Sequence, residues 1–89
     1  MCEIVIIKQT LNTYKVVVNA QDVTEHIVVL QPSYLQQLTN GKVSDDMLIK
    51  YSFEFLLTKE SNTSILHSFD LSVIANYFPD YEHAIKLML

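Results

Sequence analysis

The sequence predicts an α+β fold, a three-stranded antiparallel meander followed by three or four short helices packed on the sheet. Three observations carry this expectation. Runs of β-branched residues fill the chain before Pro32 and helical spacing of apolar residues fills the rest, so strands and helices segregate. The links between the strand-like runs are short, which favours antiparallel neighbours. Hydrophobic residues make up 49% of a chain with one glycine and two prolines, a composition that builds a core rather than linkers. At 89 residues there is room for one domain, residues 1–89, burying roughly 60–65% of its unfolded surface.

Ile4-Val5-Ile6-Ile7 is the first run, continuous and β-branched as a strand buried on both faces would be. From Tyr14 to Ala20 the pattern alternates, with Tyr14, Val16 and Val18 on one side and Thr13, Lys15 and Asn19 on the other. Gln21-Asp22 reads as a turn, and Ile27-Val28-Val29-Leu30 forms a third run that ends before Pro32. The first and third runs are apolar on both faces: Ile4 and Ile6 against Val5 and Ile7, Ile27 and Val29 against Val28 and Leu30. A small meander ordinarily shows water one face. Either helices cover both faces, or one face meets another chain, a partner protein or a second copy in a homodimer.

The helical part opens at Pro32, which suits a first helical position; Tyr34, Leu35 and Leu38 share a face and Asn40-Gly41 closes the segment. Ser44 is placed to cap a second helix, with Asp45 and Asp46 in its first turn and Lys59 in its last, each favoured by the helix dipole. Val43 and Leu48 have the spacing of a hydrophobic staple. Met47, Leu48, Tyr51, Phe55 and Leu56 form the apolar stripe, widened by Phe53 and Leu57, as expected of the central helix. After a polar loop from Ser61 to Ser64, Asp70 reads as a cap and Phe69 with Ile74 as a second staple, for a helix that runs to Phe78 and stops at Pro79. Asp80 then caps a last short helix through Ala84, Ile85 and Leu87.

Charge and cysteine content disfavour several function classes. Six lysines, no arginine and ten acidic residues leave a formal charge of −4, and the excess lies in the C-terminal half. Nucleic-acid binders carry a basic stripe and use arginine to read phosphate and guanine, so binding of nucleic acid is not expected. The single cysteine, Cys2, allows neither an intrachain disulfide nor a cysteine-rich zinc site, and it reads as a buried or incidental thiol at a strand start. The N-terminal residues lack the pattern of a signal peptide and no run approaches a membrane span, so the expected setting is cytoplasmic, without membrane contact. In that setting the Asn62-Thr63-Ser64 sequon is incidental.

From Ser52 onward the chain shows Ser52-Phe53-Glu54-Phe55-Leu56-Leu57, Asn62-Thr63-Ser64-Ile65-Leu66, Phe69-Asp70-Leu71, Val73-Ile74 and Tyr77-Phe78-Pro79-Asp80-Tyr81-Glu82. With Pro32, Tyr34-Leu35 and Leu38-Thr39-Asn40-Gly41-Lys42, this pattern resembles a family of short uncharacterised bacterial proteins over about the last two-thirds of the chain. The resemblance implies a bacterial, stand-alone domain and carries no activity with it. Lys59 and His67 stand where relatives would be expected to have arginine.

No motif specifies a reaction. His26, His67 and His83 are far apart, with only Asp80 and Glu82 near the last, so they read as unrelated histidines rather than metal ligands. With one glycine the chain cannot build a phosphate-cradling loop or a nucleophile elbow, and no cofactor is expected. Asp45 with Asp46, and Asp80 with Glu82, are accounted for as helix-start acids. The candidate surface is the aromatic corner Tyr77, Phe78, Pro79, Asp80, Tyr81 and Glu82, together with Val5 and Ile7 of the doubly apolar first strand. At the corner, the competing reading has Phe78 in the core with both tyrosines lying over it. The function expected from this set is a small non-enzymatic protein-interaction or regulatory module that binds a protein partner or itself. The alternative is a small enzyme subunit or ligand-binding protein, with a pocket between sheet and helices lined by tyrosines and a histidine.

Overall fold

Alternation of β-branched residues sets up the sheet. In the computed structural model, which describes residues 3–89, β1 (Glu3–Lys8), β2 (Thr13–Asn19) and β3 (Val23–Val29) pair antiparallel in sequence order. Cys2 lies outside the described residues. Ile4 stands opposite Val18 and Ile6 opposite Val16, while Val16 stands opposite His26 and Val17 opposite Glu25. Because side chains alternate, Tyr14, Val16 and Val18 all fall on one face with His26 and Val28, and every one of them is buried.

The sheet has a fourth strand that the meander expectation lacks. β4 (Ser68–Asp70) pairs parallel to β3, giving the order β1-β2-β3-β4 and a mixed sheet. Ile27 N–H donates to the His67 carbonyl at 2.7 Å, and Phe69, opposite Val28, carries the strand's buried side chain. Three residues are too few to display alternation, and a parallel partner across a helical crossover leaves no turn signal in the sequence. Asp70 keeps its predicted capping role at the strand's end, accepting from the Ser72 amide at 3.0 Å and the Ser72 hydroxyl at 2.7 Å.

Helices α1 (Pro32–Thr39) and α2 (Asp45–Lys59) make that crossover. α1 begins at Pro32 and ends where Asn40 (φ 52°) and Gly41 (φ 74°) turn left-handed, with Asn40 N–H donating to the Gln36 carbonyl at 2.8 Å. α2 is the central helix, packed against β1 and the last helix, with Leu48, Ile49, Ser52, Phe53, Phe55 and Leu56 buried. Its buried set departs from the expected stripe: Ile49 is fully buried, whereas Met47 and Tyr51 are half-buried. A helix with neighbours on more than one side buries more than one stripe. Ser44 occupies the cap position without bonding the helix backbone; its hydroxyl donates to the Asp46 carboxylate instead.

The helix expected after Asp70 is broken into a 3₁₀ turn, Leu71–Val73, and a single α turn, α3 (Ile74–Tyr77). Burial of Phe69, Leu71 and Ile74 within so short a stretch favours the tighter turn over a regular helix. Phe78, before Pro79, is extended at φ −130° and ψ 92°. α4 (Tyr81–Met88) buries Tyr81 and Ile85, spaced i,i+4, while Leu87 is 74% exposed. All the buried helical side chains meet one face of the sheet or each other.

Candidate interaction surface

Among the described residues, the other sheet face has no helix on it. Strand register assembles it in rows: Val5 beside Val17 and Glu25, Ile7 beside Lys15, Ile27 and Ser68, and Thr13 beside Val29 and Asp70. Val5 is 37% and Ile7 48% exposed, Val17, Ile27 and Val29 are half-buried, and Val23 is exposed at the end of the same face. Lys15 and Glu25 form an ion pair of 3.0 Å across this face, and Asn19 donates to Glu3 at 3.0 Å near its margin. The result is an apolar surface with a few charges that already have partners, the composition of a contact patch more than of a solvated sheet. The sequence identified Val5 and Ile7; Val17 was obscured because it interrupts the polar side of an otherwise regular alternation with a third valine.

Among the described residues, strand β1 also leaves main-chain groups open. Gln9 N–H donates to the Thr13 carbonyl at 2.9 Å, and Leu30 N–H to the Asn12 carbonyl at 2.8 Å. In an antiparallel ladder the bonded pairs alternate, so β1 bonds β2 through Glu3, Val5 and Ile7. The N–H and C=O groups of Ile4, Ile6 and Lys8 therefore point off the edge of the sheet. Proline and interior charge, the usual protections of such an edge, are absent from Ile4-Val5-Ile6-Ile7.

The aromatic corner divides between surface and core. Tyr77 is 66% exposed, Pro79 and Asp80 are exposed, and Phe78 is half-buried with its ring edge-on to Phe55 at 6.0 Å. Tyr81 does not belong to the surface: it is wholly buried beside Phe55 at 5.4 Å. Ser52 donates to the Leu48 carbonyl at 2.7 Å, so the Tyr81 hydroxyl, 2.6 Å away, donates to Ser52. Burial raises the Tyr81 pKa well above the ordinary tyrosine range. The two acids of the corner are engaged separately. Asp80 accepts from Lys59 at 3.1 Å, which holds its carboxyl below the usual value, and Glu82 accepts from the Tyr34 hydroxyl at 2.8 Å. Burial, then that bond, raises the Tyr34 pKa.

Tyr77 and Phe78 border a small apolar cleft with Leu56, Ile65, Phe69 and Ile74, of about 170 Å³, with Glu60 on its lining. It lies between α2 and the β4–α3 segment, and no histidine lines it. Its volume is below the roughly 300–1,000 Å³ of small-molecule sites and matches one apolar side chain.

Two of the three histidines come together, against the expectation that they are unrelated: the His26 and His67 rings stack at 6.1 Å. His26 is buried, and since the Leu66 carbonyl 2.7 Å away can only accept, its Nδ1 carries the proton. Nε2 then accepts from the Thr24 hydroxyl at 2.9 Å, and Asn62 donates to Thr24 at 3.0 Å and to the Asp22 carbonyl at 2.8 Å. Burial lowers the His26 pKa, against the bond to Leu66, and His67, stacked at 6.1 Å, lowers it further. This chain of bonds ties β3 to the 62–67 loop and leaves neither nitrogen free for a ligand. His83 is exposed on α4. Among the described residues no three His, Cys, Asp or Glu side chains are grouped to hold a metal ion, and no helix is long and apolar enough to cross a membrane.

No protein-family model, curated protein or solved structure matches the chain.

Proposed function

We propose that this chain is a small non-enzymatic protein-interaction module that works through the uncovered sheet face, with Val5 and Ile7 along its β1 edge. The single observation that carries this reading is an apolar face on a mixed sheet whose opposite face alone is packed by helices. Burying such a face releases roughly 25 cal/mol for each Å² of apolar surface, a driving force that needs no catalytic group. A cytoplasmic, bacterial setting goes with this reading, supported by the single cysteine and the resemblance to short bacterial proteins. Lysine at both Val5 and Ile7 (Val5→Lys with Ile7→Lys) tests it. Both side chains are partly exposed, so the urea midpoint should move by less than about 1 kcal/mol equivalent. Proteins retained by immobilised wild-type chain, and its association with itself, should both be lost. Retention of the same proteins by the double variant would reject the face as the binding surface.

A second reading is favoured by the apolar cleft beside Tyr77, whose size suits one side chain of a peptide or a small apolar ligand. Chemical-shift changes confined to Ile65, Ile74 and Tyr77 on titration with aromatic fragments would support it, and shifts spread over the sheet face would not.

A further inference from the structure

We infer that the uncovered sheet takes a second copy of this chain, joined edge to edge through β1 into one continuous sheet about a two-fold axis. This deepens the interaction reading and rests on it. The free N–H and C=O groups of Ile4, Ile6 and Lys8 are a template for a strand and for little else, because donors and acceptors in that alternation match only another extended backbone.

Self-complementarity selects the partner. A two-fold antiparallel pairing must bond outward-facing residues to outward-facing residues, which leaves two central registers. Centred on Val5, it pairs Ile4 with the partner's Ile6 and sets Glu3 against the partner's Ile7, which puts a charge into the apolar rows of the uncovered face. Centred on Ile6, it pairs Ile6 with the partner's Ile6 and Ile4 with the partner's Lys8, and on the uncovered face it sets Val5 against the partner's Ile7 twice over. The second register makes about six main-chain hydrogen bonds and continues the apolar rows across the axis. It also closes. The opposite edge, β4, has three residues and ends in Asp70, so head-to-tail growth from β1 onto β4 has almost no template.

Size sets the expected affinity. A six-residue edge runs about 20 Å, so the contact falls at the low end of protein interfaces, below about 1,200 Å² in total, where association is weak and reversible. The dimer should therefore form with a dissociation constant on the order of 10 μM.

Sedimentation velocity of the full chain from about 1 to about 500 μM spans that value, and hydrogen exchange at the two ends of the range locates the contact. The expected result is a monomer–dimer transition, with the amides of Ile4, Ile6 and Lys8 slowed by about ten-fold or more in the dimer. Ile4→Pro, which removes an outward donor that β2 does not use, should abolish the dimer while far-UV circular dichroism is retained; Ile7→Lys, which folds without any backbone change, should do the same. A chain that stays monomeric to the highest concentration, or a dimer whose β1 amides exchange as in the monomer, overturns the inference. In the monomeric case the interaction reading is judged apart, by whether Val5→Lys with Ile7→Lys still releases retained proteins.

Discussion

His26 occupies a position where a β-branched residue would satisfy the strand, and it is instead held neutral in the core by two hydrogen bonds of fixed direction. Its neutral form suits the site: Nδ1–H serves the Leu66 carbonyl, and Nε2 receives the Thr24 hydroxyl. Since the folded-state pKa lies below the ordinary histidine value of 6.5, the unfolded chain binds more protons than the folded one just below that pH. Stability is then full above pH 6.5 and falls as the pH drops from there toward the lowered folded-state value. Urea midpoints from pH 8 to pH 5 should show this decline, and His26→Leu should flatten it while costing about 1–3 kcal/mol at neutral pH, because the Leu66 carbonyl loses its donor and the Thr24 hydroxyl its acceptor. Equal slopes for the two proteins would show that another group governs the acid response. Tyr81 follows the same rule by other means. A buried hydroxyl needs one partner, Ser52 supplies it, and no buried side-chain N or O atom among the described residues is left unpaired.

At the scale of elements, what could be read from the sequence was whatever is specified locally. Pro32 and Asn40-Gly41 bracket α1 because φ preferences act within one residue, and the two hairpins follow from short polar links between β-branched runs. Non-local features were hidden. β4 joins residues far apart in the chain, with Phe69 opposite Val28, and Tyr81 enters the core because α4 turns that side of the corner toward Phe55 and Ser52, a rotation that the spacing of Ala84, Ile85 and Leu87 does not reveal. On the candidate surface, Val5 and Ile7 were readable because a run apolar on both sides is conspicuous; the outward direction of Ile4, Ile6 and Lys8 depends on which hairpin pairs are bonded. The local rules carry a prediction at the end of α1. Gly41 holds φ 74°, where an L side chain is strained by roughly 1–2 kcal/mol, and an added Cβ would meet the Gln36 side chain at 3.4 Å. Gly41→Ala should lower the urea-derived stability by about that amount, whereas Asn40→Gly, at φ 52°, should leave it unchanged or slightly raised. A neutral Gly41→Ala would mean that the loop relaxes out of the left-handed region.

For the whole molecule, charge and association act against one another in a way that salt exposes. Each copy carries a formal charge of −4, and the β1 edge itself is balanced, with Glu3 at one end and Lys8 at the other. Two copies joined through that edge repel as bodies while the contact between them is apolar. With a radius of gyration of 12.0 Å, their centres would lie roughly 25 Å apart. That separation is shorter than the ~30 Å screening length of 10 mM salt and well beyond the ~10 Å of 0.1 M salt. Repulsion is therefore felt in dilute buffer and largely removed at physiological ionic strength, worth about a two- to five-fold tightening of the dimer between about 20 and 300 mM sodium chloride. The direction separates three kinds of contact. An apolar, backbone-bonded edge between like-charged copies tightens with salt, a contact held by pairs such as Lys15 and Glu25 loosens, and a phosphate-binding surface loosens steeply. Dissociation constants from sedimentation at the two salt concentrations decide among them, and a constant that rose with salt would move the contact from the β1 edge to the charged residues of the sheet face.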